Sequence, residues 1–179
     1  MTTALLIIDV QRALCLGEYE VFESRRVINR INQVARLARQ AKLPVVVIQH
    51  EEPGSPMAHG AEGWKLDAEL QVQPGDTYIR KTTPDSFHNT DLFAVLQAWG
   101  IKRLVVCGLQ SEFCVDSTLR RALALGFPVT LVADGHSTMD NSVLTAAQIV
   151  AHQNDTLSKM DSFGPRVRVV PASEVQFEV

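Results

Sequence analysis

Little in this sequence points to a charged or membrane-embedded partner. Its 17 lysines and arginines stand against 20 acidic residues, a net charge of −3, so no positive excess is available to hold nucleic acid or an anionic membrane. Long hydrophobic runs are missing as well. The longest, at 4–8 and 44–48, fall far short of the about 20 residues that cross a bilayer. No basic stretch precedes the first of them and Asp9 interrupts it, so no signal peptide is expected. The three cysteines are an odd number in unlike contexts, which argues against a disulfide framework and for a reducing, cytoplasmic setting. There is no Cys-x-x-Cys pair to suggest structural zinc. No Gly-x-Gly-x-x-Gly follows the first apolar run, where Asp9-Val10-Gln11 stands instead, and this disfavours a dinucleotide site.

What is present is an alternation of short β-branched runs with longer helical patterns. Strands are expected at 4–9, 44–49, 77–81, 103–110, 127–133 and 167–170. A helix from about Ser24 carries Val27, Ile28, Ile31, Val34, Ala35 and Ala38 at helical spacing. Further helices are expected from Thr90 to Trp99, from Phe113 to Leu125, and from Asn141 to about Asn154. Arg25, Arg26, Arg30, Arg36 and Arg39 share the first of these helices and read as a solvated face. Residues 51–74 hold Pro53, Gly54, Pro56, Gly60, Gly63 and Pro74 and read as a long loop. No repeat or linker divides the chain, so one domain over 1–179 is expected. The β-then-α order implies right-handed crossovers and a three-layer α/β/α fold around a largely parallel sheet. Ligands of such sheets sit outside the carboxyl ends of the strands.

Three chemically capable residues fall at that edge. Asp9 ends the first strand, Lys81 ends the third, and Cys114 follows the fourth. Cys114 is expected in the first turn of a helix, where free backbone N–H groups and the helix dipole favour a thiolate. Cys107 lies within a strand and reads as a small buried hydrophobe. Cys15 is the competing reactive thiol. Taken singly, Asp9 could cap a loop, Lys81 could be a surface lysine and Cys114 could be structural; together they outline an acid–ammonium–thiol site. A ligand-binding α/β domain without catalysis and a thiol redox sensor are alternative readings of the same residues, the latter lacking an evident resolving cysteine.

The blocks Leu6-Ile7-Ile8-Asp9-Val10-Gln11, Lys81-Thr82-Thr83-Pro84-Asp85-Ser86-Phe87 and Gly108-Leu109-Gln110-Ser111-Glu112-Phe113-Cys114-Val115 resemble those of the isochorismatase-like cysteine hydrolases, in order and spacing. Gly63-Trp64-Lys65-Leu66 and Ala133-Asp134-Gly135 extend the likeness over nearly the whole chain. The resemblance implies a six-stranded, mainly parallel sheet in the order 3-2-1-4-5-6. It also implies an Asp9–Lys81–Cys114 triad, an oxyanion hole from the backbone N–H groups of Gln110 and Cys114, and a cis peptide at Leu109-Gln110. Gln11, Trp64, Phe87, Gln110 and Phe113 lie in matching blocks as candidate substrate-binding residues, although Trp64 and Phe87 read equally well as packing.

The implied reaction is hydrolysis of a C–N bond in a small amide or ureide. Family members that cleave a vinyl ether typically lack the cysteine, and nicotinamidases add a metal on an Asp-x-His pair. This chain has Gln49-His50-Glu51-Glu52 and a distant His59 instead, so no metal and no cofactor are expected. A homodimer or homotetramer is implied by the family alone. The loop from Gly54 to Trp64 is a candidate lid.

Overall fold

The computed structural model describes residues 3–177. Strands β1 (Thr3–Ile8), β2 (Val45–His50), β3 (Thr77–Lys81), β4 (Arg103–Leu109), β5 (Val129–Ser137) and β6 (Val167–Val170) form one sheet in the order β3-β2-β1-β4-β5-β6. Every strand pair is parallel. The chain order reverses between β1 and β4, so the crevice at the carboxyl ends of these two strands is where a ligand is expected.

Both faces of the sheet are covered, and β1 shows why its sequence is apolar throughout. Ala4, Leu6 and Ile8 point into one core, shared with Leu92 and Leu96 of α3 (Leu92–Ala98), Leu119 and Leu123 of α4 (Asp116–Ala124), and Leu157 of α5 (Ala146–Ser158). Leu5 and Ile7 point into the other core, against Cys15 of the short helix α1 (Arg12–Cys15) and Val27, Ile28, Ile31, Val34 and Ala35 of α2 (Ser24–Gln40). A strand whose alternate side chains enter two cores cannot alternate in polarity. The α2 arginines do not form a free face: Arg25 pairs with Asp67, Arg30 with Asp134 and Arg39 with Asp76, which ties the helix to the loop before β3 and to β5.

Glycine is required at position 108 of this sheet. Gly108 has φ +125°, and a Cβ there would lie 2.1 Å from the Ile8 carbonyl oxygen. Only a residue without a side chain lets β4 pass so near the end of β1, one position from Asp9.

Two sequence expectations shift. The helix expected from Asn141 begins at Ala146, because Asn141 spends its side-chain oxygen on the N–H groups of Val143 and Leu144 and so forms a turn. Thr145 and Gln148 then build a reciprocal capping box that sets the true start. The strand expected to stop at 133 runs on to Ser137. The register jumps from Val106–Leu131 to Gly108–His136, so five steps on β5 match two on β4, and the bulge brings His136 and Ser137 to the carboxyl edge.

Candidate active site

Each residue at this edge is delivered by a local feature of the chain. Asp9 leaves β1 in a left-handed conformation, φ +53°. Lys81 is the last residue of β3 and pairs in register with His50, the last of β2. Cys114 lies inside a π-helical turn, Ser111–Val115, that precedes α4, rather than in the first turn of an α-helix as expected. The Gln110 carbonyl accepts from the N–H groups of both Phe113 and Val115, at 3.2 and 3.1 Å, which closes this turn. The Leu109-Gln110 peptide just before it is cis.

These elements bring the acid, ammonium and thiol together. Lys81 Nζ lies 2.7 Å from Asp9 Oδ2 and 3.2 Å from Cys114 Sγ. It also lies 3.2 Å from the Thr83 carbonyl oxygen and 3.3 Å from His50 Nδ1. Asp9 and Lys81 are buried, at 1% and 2% exposure, whereas Cys114 is half-buried and so the most accessible of the three. An ammonium has three protons for these four acceptors, so the thiol and the imidazole compete for the longer bonds.

The electrostatics correct one expectation. Burial, with the charge of Asp9 added to it, pushes the Cys114 thiol up to about 12, and Lys81 only partly offsets this. The resting group is a thiol, not the thiolate that a helix N-terminus would favour. Burial works against the Lys81 ammonium, but Asp9 and Cys114 outweigh it and hold its pKa above the ordinary lysine value. Burial and then the Lys81 charge lower the pKa of His50, so its Nδ1 is free to accept from Lys81 at neutral pH.

Asp9, His50 and Cys114 offer ligand atoms all within 4.8 Å of one another, a spacing that could hold a metal ion. The Lys81 ammonium lies within 2.7 to 3.3 Å of an atom of each. A metal would have to displace a cation already held there, so these side chains fit Lys81 better than a divalent ion. His59 is not part of the group; its ring meets Trp64 edge-on at 4.6 Å.

The candidate substrate-binding residues divide. Gln11 is fully buried and its amide is committed to backbone: Nε2 donates to the carbonyls of His50 and Trp64, and Oε1 accepts from the His50 N–H. It clamps the β2 end to the loop and has no donor left for a ligand. Phe87 is a core residue that stacks on Phe127 at 6.3 Å. Trp64 is half-buried, with its carbonyl taken by Gln11 and Gln49. Phe113 is 52% exposed, and Gln110 lines a cavity of about 330 Å³ with Leu14, Tyr19, Glu52, Met57 and Met139. Its walls are mainly apolar with one acid. The sequence reading named Gln110 but not the other wall residues, since none of those carries a local signal of binding. The loop considered as a lid contributes Ser55, Pro56 and Met57 to the cavity, while its far end is stapled to residues 12–13 through the carbonyls of Lys65 and Gly63.

Cys15 and Cys107 are buried, and burial pushes Cys15 up to about 12 and Cys107 higher still. With Cys114 this gives three thiols whose folded pKa exceeds the unfolded value of 9.0. Their contribution to stability is complete below that value and is lost as pH rises through the folded pKa. Urea unfolding midpoints should therefore hold steady from pH about 7 to 8.5 and fall clearly by pH about 10. A midpoint unchanged at the higher pH would contradict this burial.

A family model described as an Isochorismatase domain matches residues 3–159. Among curated relatives, a streptothricin hydrolase of Streptomyces noursei is 41% identical over 138 residues, 76% of this chain and 50% of its own length. The chain thus spans about half the length of that relative. Ureidoacrylate amidohydrolase RutB of Caulobacter segnis is 31% identical over 170 residues, 74% of this chain and 71% of its own. A crystal structure of an isochorismatase family protein superposes with a TM-score of 0.86 at 33% identity, covering 94% of this chain and 97% of that one. Among the described residues no helix is long and apolar enough to cross a membrane.

Proposed function

The chain belongs to the isochorismatase family, and from that premise we propose that it hydrolyses a C–N bond of a small amide or ureide through a thioester on Cys114. The observation that carries this reading is the Lys81 ammonium held between a buried carboxylate, at 2.7 Å, and the accessible sulfur, at 3.2 Å. A nucleophile, a base and a fixed positive charge are the parts that acyl transfer needs.

Because the resting thiol is protonated, its proton leaves as the sulfur attacks. Asp9 takes that proton while the new C–S bond turns the carbonyl oxygen into an oxyanion. The N–H groups of Gln110 and Cys114 bind the oxyanion, a type of contact worth about 3 kcal/mol per donor. Asp9 returns the proton to the departing nitrogen as the C–N bond breaks, leaving an acyl-enzyme thioester. Asp9 then accepts a proton from water as the water oxygen attacks. The C–S bond breaks, the acid product leaves, and the sulfur regains its proton. Lys81 holds the negative charge as it passes between carboxylate and sulfur.

Two relatives support an amide or ureide as the substrate class. One is a streptothricin hydrolase and another a ureidoacrylate amidohydrolase. Amides and ureides are therefore the first compounds to test here, with an apolar portion for the Leu14, Met57 and Met139 wall. We also propose a homo-oligomer working in the cytoplasm, testable by sedimentation and by fractionation. Ammonia or amine release from a panel of amides, lactams and ureides should find a substrate, with turnover abolished by alkylation of Cys114. Ligand binding without turnover across the panel would instead support a binding module.

A further inference from the structure

Beneath the turn that carries Cys114 lies a buried series of polar side chains that the reaction above does not use. Ser111 opens the turn, and its Oγ is 2.8 Å from Nδ1 of His136, near the end of β5. His136 Nε2 is 3.0 Å from Oδ1 of Asn154 on α5, and the Asn154 amide nitrogen donates to the Ala133 carbonyl at 3.0 Å. The last link fixes the proton order of the whole series. A carbonyl only accepts, so the Asn154 atom facing Ala133 is nitrogen and the atom facing His136 is oxygen. That oxygen also only accepts, so His136 carries its hydrogen on Nε2. Burial lowers the His136 pKa and keeps the ring neutral. Nδ1 is then a lone pair, and the Ser111 hydroxyl donates to it.

The order hydroxyl, imidazole, amide is that of a nucleophile, its base and an orienting group. Ser111 is 0% exposed and His136 2%, however, so the hydroxyl cannot meet a substrate. Its place in the chain gives it another use. Ser111 follows Gln110 directly, and the Gln110 carbonyl closes the five-residue turn that contains Cys114. The bulge that sets His136 opposite Gly108 serves the same end, because it brings the imidazole beside the start of that turn.

We propose that Ser111, His136 and Asn154 form a positioning device, which pins the nucleophile turn to β5 and α5 and so sets the places of the Cys114 sulfur and the Gln110 N–H. This rests on the reading of Cys114 as the nucleophile. Displacements of about 1 Å in such a group cost on the order of 100-fold in rate.

The test uses p-nitrophenyl acetate, an activated acyl donor whose phenolate leaves without a proton, so the first step is seen as a burst. His136→Leu and Ser111→Ala break the series. His136→Asn keeps an oxygen where Nδ1 accepts from Ser111. The acylation rate should fall by about 10- to 100-fold in the first two, with KM within about threefold of the parent. His136→Asn, which restores the acceptor for Ser111 but not the donor for Asn154, should recover part of the loss and run at least about threefold faster than His136→Leu. Wild-type rates per folded molecule in Ser111→Ala, which removes a single oxygen, would overturn the proposal. So would a His136→Asn variant no faster than His136→Leu. The Cys114→Ala control separates the two readings: a burst that survives there refutes the nucleophile itself, whereas a burst lost there but unaltered in the Ser111 and His136 variants refutes only the positioning device.

Discussion

Replacing Cys114 with alanine is expected to remove at least about 10⁴-fold of turnover, while the variant still unfolds cooperatively within about 1 kcal/mol of the parent. The two halves of this expectation have separate causes. Neither the other two thiols nor the Ser111 hydroxyl can take the place of Cys114: Cys15 and Cys107 are buried, and the Ser111 hydroxyl is enclosed and committed to His136. Stability is preserved because the sulfur is only one of four neighbours of Lys81. Asp9, Thr83 and His50 remain to satisfy the ammonium. Steady-state ammonia release on any confirmed substrate, with urea unfolding alongside, checks both halves. Turnover above about 1% of the parent would remove Cys114 from the chemistry. Cys15→Ala and Cys107→Ala serve as controls and should leave turnover intact.

The second expectation is that Asp9→Asn and Lys81→Met both lose turnover by about 10³-fold, yet move the reactivity of Cys114 in opposite directions. Iodoacetamide reacts with the thiolate, so its rate follows the ionised fraction. In the parent protein the thiol is held up near 12, and the alkylation rate should keep climbing with pH without a plateau at neutrality. Asp9 is one of the groups that raise this pKa and Lys81 one that lowers it. Removing the Asp9 charge should therefore lower the thiol pKa, enlarge the ionised fraction at pH about 8 and speed alkylation there by roughly tenfold or more. Removing the Lys81 charge should raise the pKa and slow the reaction.

A base whose loss makes the nucleophile more ionised but less productive is a base needed for its proton transfers, not for resting ionisation. Were Asp9→Asn to slow alkylation, that assignment would fail. Lys81→Met should also cost about 3–5 kcal/mol of stability, because it leaves Asp9 buried beside no counter-charge. Asp9→Asn serves as the variant that tests the chemistry should the Lys81 variant fold poorly.

Much of the site is legible along the chain because it lies at strand ends. Asp9 stands out because it ends the apolar run at 4–8, and Lys81 because it closes the short strand Thr77–Lys81 just before Thr82-Thr83-Pro84. Cys114 is located by the switch between strand and helical periodicity. What misleads is the local environment that this switch suggests. A helix N-terminus predicts a depressed pKa, whereas the observed π-helical turn sets the half-buried sulfur beside Asp9, and desolvation with that charge raises the pKa. Gln11 and Phe87 stand in the right blocks for a ligand, but their partners come from distant segments: the β2 end and Trp64 for one, Phe127 for the other.

The sequence by itself located the strands and most helices, and the resemblance of its three ordered blocks to a known family supplied the sheet order and the three candidate residues at the sheet edge. The strands and helices follow from short-range quantities: the period of apolar residues, the caps, and the chemical type at a strand end. Tertiary structure alone decided that His50 is a neighbour of Lys81, that the Cys114 thiol rests protonated, and that Ser111, His136 and Asn154 join in one buried series. Each of these depends on burial and on side chains brought together from separate strands, helices and loops. No window of adjacent residues carries that information, because desolvation and charge act through space rather than along the chain.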